Sequence, residues 1–112
     1  MKYIRTKDKI YEIAKDISYG EKEIYKIRNH DFSIIGNGLQ KADTIEELCD
    51  EFVLYDNQFK TCGVFDKKVI TFKWLQNHLE IYKGMTIYGA IWTDKGLIYV
   101  AKMNEEGVLC LI

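Results

Sequence analysis

Residues 85–112 set the tightest limit on how this chain can fold. Three apolar runs, Met85 to Trp92, Leu97 to Met103 and Val108 to Ile112, are separated by two short connectors, Thr93-Asp94-Lys95-Gly96 and Asn104-Glu105-Glu106-Gly107. Runs of this length, rich in β-branched and aromatic residues and bounded by turn formers, read as strands. Connectors so short can join only antiparallel neighbours. The glycine closing each connector suits a type I turn followed by a left-handed residue, the G1 bulge. The spacing therefore predicts a C-terminal three-stranded meander. Ile87, Gly89 and Ile91 alternate with Tyr88, Ala90 and Trp92, so both faces are apolar. A helix is expected on one face and further protein, or a second copy in a homodimer, on the other.

The N-terminal part repeats this grammar. Lys2–Arg5 and Ile10–Ile13 flank Thr6-Lys7-Asp8-Lys9, and Ile24–Arg28 and Phe32–Ile35 flank Asn29-His30-Asp31, which predicts two hairpins. Gly36-Asn37-Gly38 then ends the second hairpin as a turn. Its glycines open like a dinucleotide fingerprint, but Lys41 stands at the third glycine position and no βαβ unit surrounds it.

Two helices are expected. Thr44-Ile45-Glu46-Glu47 matches a capping box, and Ile45, Leu48, Cys49 and Phe52 share one helical stripe, which predicts a helix of about ten residues. Its opposite face would carry Glu46, Glu47, Asp50 and Glu51. Val53-Leu54-Tyr55 should then lead into a strand, with Asp56-Asn57 turning and Phe59 to Phe65 pairing back. From Thr71 to Lys83, Phe72, Leu75, Leu79 and Tyr82 share a second helical face that Gly84 would stop; the β-prone Val69–Phe72 places its start as late as Lys73. The expected fold class is α+β: one domain over residues 1–112, an antiparallel sheet of five to seven strands built from hairpins, and one or two helices packed on it. A chain of 112 residues buries enough surface to fold alone.

Composition narrows the function by exclusion. The net charge of −1 lacks the basic footprint of a general nucleic-acid binder. It is, however, unevenly distributed: residues 43–56 hold six Asp/Glu and no Lys/Arg, whereas the segments on either side are net positive. No signal peptide or transmembrane run is evident, and three cysteines without C-x-x-C spacing suggest reduced thiols in a cytoplasm.

Constellations for catalysis are sparse. The two histidines are not spaced as zinc ligands, there is no G-x-S-x-G elbow and no P-loop, and no cofactor or metal is expected. His30 beside Asp31, or Cys62 meeting His30 in space, would be the basis of a small enzyme. Two binding surfaces suggest themselves instead. The acidic residues Glu46, Glu47, Asp50 and Glu51 would suit a protein partner. Tyr3, Tyr25, Lys26 and Arg28, aromatic and basic side chains on the N-terminal strands, would suit single-stranded nucleic acid or a nucleotide.

Three stretches carry a resemblance: Met1 to Asp8 (MKYIRTKD), Ala42 to Val53 (ADTIEELCDEFV) and Ile87 to Asn104 (IYGAIWTDKGLIYVAKMN), about a third of the chain. They resemble a family of small proteins carried by phages and prophages of Gram-positive bacteria, especially Firmicutes, which has no assigned activity or catalytic residues. The resemblance implies a setting in a bacterial host cell. With the sparse catalytic groups, it leads to the expectation of a non-enzymatic accessory protein that binds a host or phage protein, with counter-defence as one purpose.

Overall fold

The computed structural model describes residues 2–55, 61–78 and 85–112, with only the backbone of Thr61 and Cys62. The described residues form an α+β fold, almost entirely antiparallel sheet with one short helix. In place of the expected single sheet of five to seven strands, the described residues form ten strands in two five-stranded sheets. The chain divides into two compact units, Met1–Leu48 and Cys49–Ile112.

The first unit holds β1 (Tyr3–Arg5), β2 (Ile10–Asp16), β3 (Glu23–Ile27), β4 (Ser33–Gly36) and β5 (Gln40–Ala42) in the order β4-β3-β2-β1-β5. Each of the two expected hairpins forms, with β1 on β2 and β3 on β4. Asn29 adopts φ 63° in the second turn, a left-handed conformation that asparagine tolerates. Strand β5, too short and polar to announce itself, returns to pair with β1. Ile4 and Ile27 are fully buried at the centre, with Tyr25 beside them and Tyr11, Ile13, Ile34 and Leu39 packed around. The sheet is strongly curled. Lys41 on β5 forms an ion pair with Glu23 on β3, although β1 and β2 lie between those strands in the hydrogen-bonded order. A flat sheet would separate them by about three strand spacings, roughly 14 Å. The β2–β3 pairing carries an irregularity between Ile13 and Lys15, the kind of bulge that sharpens such curvature.

The second unit holds β6 (Glu51–Tyr55), β7 (Thr61–Asp66), α1 (Phe72–Asn77), β8 (Thr86–Thr93), β9 (Gly96–Met103) and β10 (Leu109–Leu111), with strands in the order β10-β9-β8-β6-β7. Gly96 and Gly107, which end the two connectors, both have positive φ (105° and 80°). One face packs the core: Phe52 and Leu54 of β6, Ile87 and Ile91 of β8, Ala101 of β9 and Leu109 of β10 are buried, together with Cys49 and with Phe72 and Leu75 of α1. Helix α1 docks here through Phe72, whose ring centroid lies 5.7 Å from that of Phe52. Gln76 ties the helix to the β9–β10 turn by donating to the Gly107 carbonyl at 2.7 Å.

The helix expected from Thr44 does not form; the chain makes one turn there. Part of the capping chemistry survives: the Thr44 backbone N–H and hydroxyl both donate to Glu47 Oε2 at 3.2 and 3.0 Å, and Leu48 N–H donates to Ile45 O at 3.0 Å. Propagation stops because the next residues are needed elsewhere. Glu51–Tyr55 becomes a central strand, paired on one side with β7 and on the other with β8. A long-range strand with two partners outweighs a helix propensity of tenths of a kcal/mol per residue. The second helix starts inside its expected range, capped by the Thr71 hydroxyl accepting from Trp74 N–H at 3.1 Å. Leu79, Ile81, Tyr82 and Gly84 at its expected end, and Asp56-Asn57 and Phe59 before β7, lie outside the described residues.

Candidate functional site

The second sheet turns its other face toward a group of aromatic side chains. Strand register places Asp66, Glu51, Ala90 and Tyr99 in one row across β7, β6, β8 and β9, and Val64, Val53, Tyr88, Lys102 and Cys110 in the next. Trp92 follows Ala90 at the next position on this face, opposite Leu97. Tyr55, Tyr88 and Tyr99 form one cluster. The rings of Tyr88 and Tyr99 stack at 5.1 Å, and Tyr55 meets both edge-on at 5.4 and 5.9 Å. The Tyr55 and Tyr99 hydroxyls share a hydrogen bond, which together with desolvation pushes the Tyr99 phenol up to about 12. Lys102 lies over the Tyr88 ring at 5.8 Å. Beyond it, an open groove of about 750 Å³ is lined by Thr86, Lys102, Asn104, Glu105 and Cys110, among others.

Trp92 is the most exposed large aromatic of this face at 55%, and it is held in place. Asp50 Oδ2 accepts from its backbone N–H at 2.8 Å, and Glu51 Oε1 accepts from its indole Nε1–H at 3.1 Å. The residues expected to form an acidic helix face are therefore divided between tasks. Glu46 and Glu47 sit in the single turn that closes the first unit, where Glu47 is bonded to Thr44. Asp50 and Glu51 lead into β6 and orient a tryptophan that stands 41 residues or more away in sequence.

The basic and aromatic residues on the N-terminal strands are not arranged as a stacking surface. Tyr25 is only 7% exposed and belongs to the core of the first unit. Its hydroxyl donates to Glu23 at 3.0 Å and accepts from Lys41 at 2.9 Å. Hydrogen bonds from Lys41, the Leu39 backbone and Tyr25 hold the Glu23 carboxyl down at about 2, and the same ion pair raises the Lys41 ammonium. Lys26 points to the opposite, exposed side of β3. Arg28 pairs with Glu12 at 3.3 Å, and Tyr3 is half-buried on β1.

His30 is exposed at the β3–β4 turn, edge-on to Tyr11 at 5.5 Å and tilted against Phe32 at 5.0 Å. Cys62, its suggested partner, has its side chain outside the described residues. Cys49 is buried in the second core and Cys110 is exposed beside the groove. His78 stacks on Trp74 at 4.0 Å. Among the described residues, no three His, Cys, Asp or Glu side chains gather closely enough to hold a metal ion, and no helix is long and apolar enough to cross a membrane.

Compared with family models, curated proteins and solved structures, the chain matches none. The tyrosine cluster and Trp92 had one sequence signal, the alternation that places Tyr88, Ala90 and Trp92 on one face of β8. The alternation predicts cover on this face by further protein or by a second copy, and Trp92 is 55% exposed.

Proposed function

We propose that this chain is a non-enzymatic accessory protein of a phage or prophage, working in the bacterial cytoplasm by binding a host or phage protein through the aromatic face of its second unit. The single observation that carries the reading is the exposed Trp92, fixed at both its backbone and its indole by Asp50 and Glu51, beside a tyrosine cluster on the same face. Tryptophan and tyrosine dominate binding hot spots because they bury large area at little cost in conformational entropy. A tryptophan already oriented loses less freedom on docking than a mobile one. Counter-defence is one purpose such a binder would serve.

The test is a photo-activated cross-linking residue introduced at position 92 or 99 of the full chain, produced in bacterial cytoplasm. One protein adduct common to both positions is expected. It should be absent from a control at Lys7 and competed by the unmodified chain but not by Trp92→Ala. Equal labelling from Lys7 would overturn the reading. A nuclease-sensitive adduct would favour the second reading, in which the exposed rings and Lys102 stack and neutralise a single strand.

A further inference from the structure

We infer that the first unit takes an extended segment of a partner protein onto the free edge of β4, and that this segment carries an aliphatic and an acidic residue two positions apart. The inference is independent of the aromatic face. Strand β4 ends its sheet and is hydrogen-bonded only to β3. Ile27 N–H donates to Phe32 O at 3.3 Å, and the bonds of an antiparallel pair fall on alternate residues. Ile34 and Gly36 therefore turn their backbone groups to β3, while Ser33 and Ile35 turn theirs outward. Among the described residues, nothing bonds to those outward groups. Edge strands are commonly protected by a proline, a bulge or an inward-pointing charge. At the opposite edge, β5 carries Lys41, which is ion-paired with Glu23 beside the core residue Tyr25. The segment Ser33-Ile34-Ile35-Gly36 has no such device, and its register on β3 is regular.

Side chains beside this edge define what fits it. On the outer face, Ile17 N–H donates to Ile24 O at 2.9 Å and Ile24 is opposite Ile35, so one apolar row runs out to the edge. Ile35 is 62% exposed and Ile17 42%. In the neighbouring row Lys15 is opposite Lys26, and Lys26 is opposite Ser33. Both lysines are exposed, and like charges directly opposed across strands are unfavourable. Among the described residues, neither has a carboxylate within ion-pair distance. A strand added to β4 sets one residue opposite Ile35 and another, two positions away, opposite Ser33. An aliphatic side chain at the first lengthens the isoleucine row, and a carboxylate at the second reaches past the short serine toward Lys26. A second copy pairing through its own β4 brings no carboxylate, because Ser33-Ile34-Ile35-Gly36 has none. Charge complementarity therefore favours a foreign segment.

The experiment selects messenger-displayed random dodecapeptides on the immobilised full chain and, in parallel, on Ser33→Pro, Ile35→Lys and Lys15→Gln/Lys26→Gln. Far-UV circular dichroism checks that each bait is folded. Ser33→Pro removes only an outward N–H, so it blocks strand addition without breaking the β3–β4 ladder. Ile35→Lys, at an exposed position, is an independent block. Peptides retained by wild type but lost on both edge variants should carry the aliphatic and acidic pair, in an order that reports the strand direction. Their preference for the acid should fall about threefold on the lysine double variant, the scale of one exposed ion pair. A selected peptide added to the free chain should slow hydrogen exchange at the Ser33 and Ile35 amides. Retention that persists on both edge variants, or exchange at both amides left unchanged, would overturn strand addition. Edge-dependent peptides with no acidic preference would overturn the charge assignment. Exchange at these amides that slows with the concentration of the chain alone would give the edge to a second copy and refute the foreign segment.

Discussion

Gly89 packs closely against Cys49 in the second core, and replacing it with alanine measures how closely the strand and Cys49 approach. A Cβ on residue 89 would stand 2.7 Å from Cys49 Sγ, with Ala101 Cβ and Leu109 Cδ1 at 3.5 and 3.7 Å. Ordinary contacts between non-bonded heavy atoms lie near 3.5–4.0 Å, so the new methyl overlaps the sulfur by about 1 Å. Neither side gives way easily. Strand β8 is held by β6 and β9 on both edges, and Cys49 is completely buried. Forcing a methyl into a packed core costs about 1–3 kcal/mol, and Gly89→Ala should destabilise by that amount. Cys49→Ala alone should cost about 1 kcal/mol through the small void it leaves. Combined, the two should compensate, because the methyl at 89 occupies the space the sulfur vacates, giving a favourable coupling of about 1–3 kcal/mol.

Guanidinium unfolding followed by tryptophan fluorescence is the assay, since the chain's two tryptophans, Trp74 and Trp92, both report on the second unit. If the double variant is as unstable as the two single losses added together, the clash at Cys49 is not what keeps residue 89 a glycine.

Two further outcomes follow from the shifted carboxyl and phenol. Glu23 has a folded-state value of about 2 against an ordinary 4.5, so its ion pair contributes stability that is fully present above pH 4.5 and is lost as the pH falls toward about 2. Far-UV circular dichroism of acid unfolding should show that loss in the wild type and a flatter acid limb in Glu23→Gln; identical limbs would refute the assignment. Tyr99 runs the other way: its phenol is raised from 10 to about 12, so the shared hydroxyl bond supports the fold below pH 10 and fades as the pH approaches 12. Ultraviolet titration should find a late-ionising tyrosine whose midpoint falls toward the ordinary value in Tyr55→Phe, and an unchanged titration curve would argue against the hydroxyl pair.

What could be read from sequence was what short-range chemistry decides. Gly96 and Gly107 mark their turns because a positive φ there is a local requirement, and Thr71 caps α1 through a residue three positions on. The segment from Thr44 misled because two signals overlap in it. A capping box and a helical stripe are local, while the demand that Glu51–Tyr55 fill the space between β7 and β8 comes from partners that the stripe cannot register. Strand β5 is silent in the sequence for a related reason: Gln40–Ala42 has no strand pattern of its own and is defined by its pairing with β1. The candidate site was half visible. Acidic residues 50 and 51 stand out in the sequence, but as a surface in their own right. Their partner Trp92 lies on another strand, and only the fold brings the three together.

Strand β9 carries one residue more than its neighbour requires. Val100 has no partner on β8, since Ala101 faces Gly89 and Tyr99 faces Ala90, and its carbonyl accepts instead from the Ile112 N–H at 3.1 Å. That surplus residue reverses the parity of everything after it. Tyr99 and Lys102 are an odd number of positions apart and would lie on opposite faces of a regular strand, yet here they share one. Lys102 therefore owes its place over Tyr88 to a counting offset. A chain shortened by one residue at position 100 would keep its aromatic rings and lose its lysine to the buried side. Among related sequences, the length of this strand would be as informative about the surface as the identity of any side chain on it.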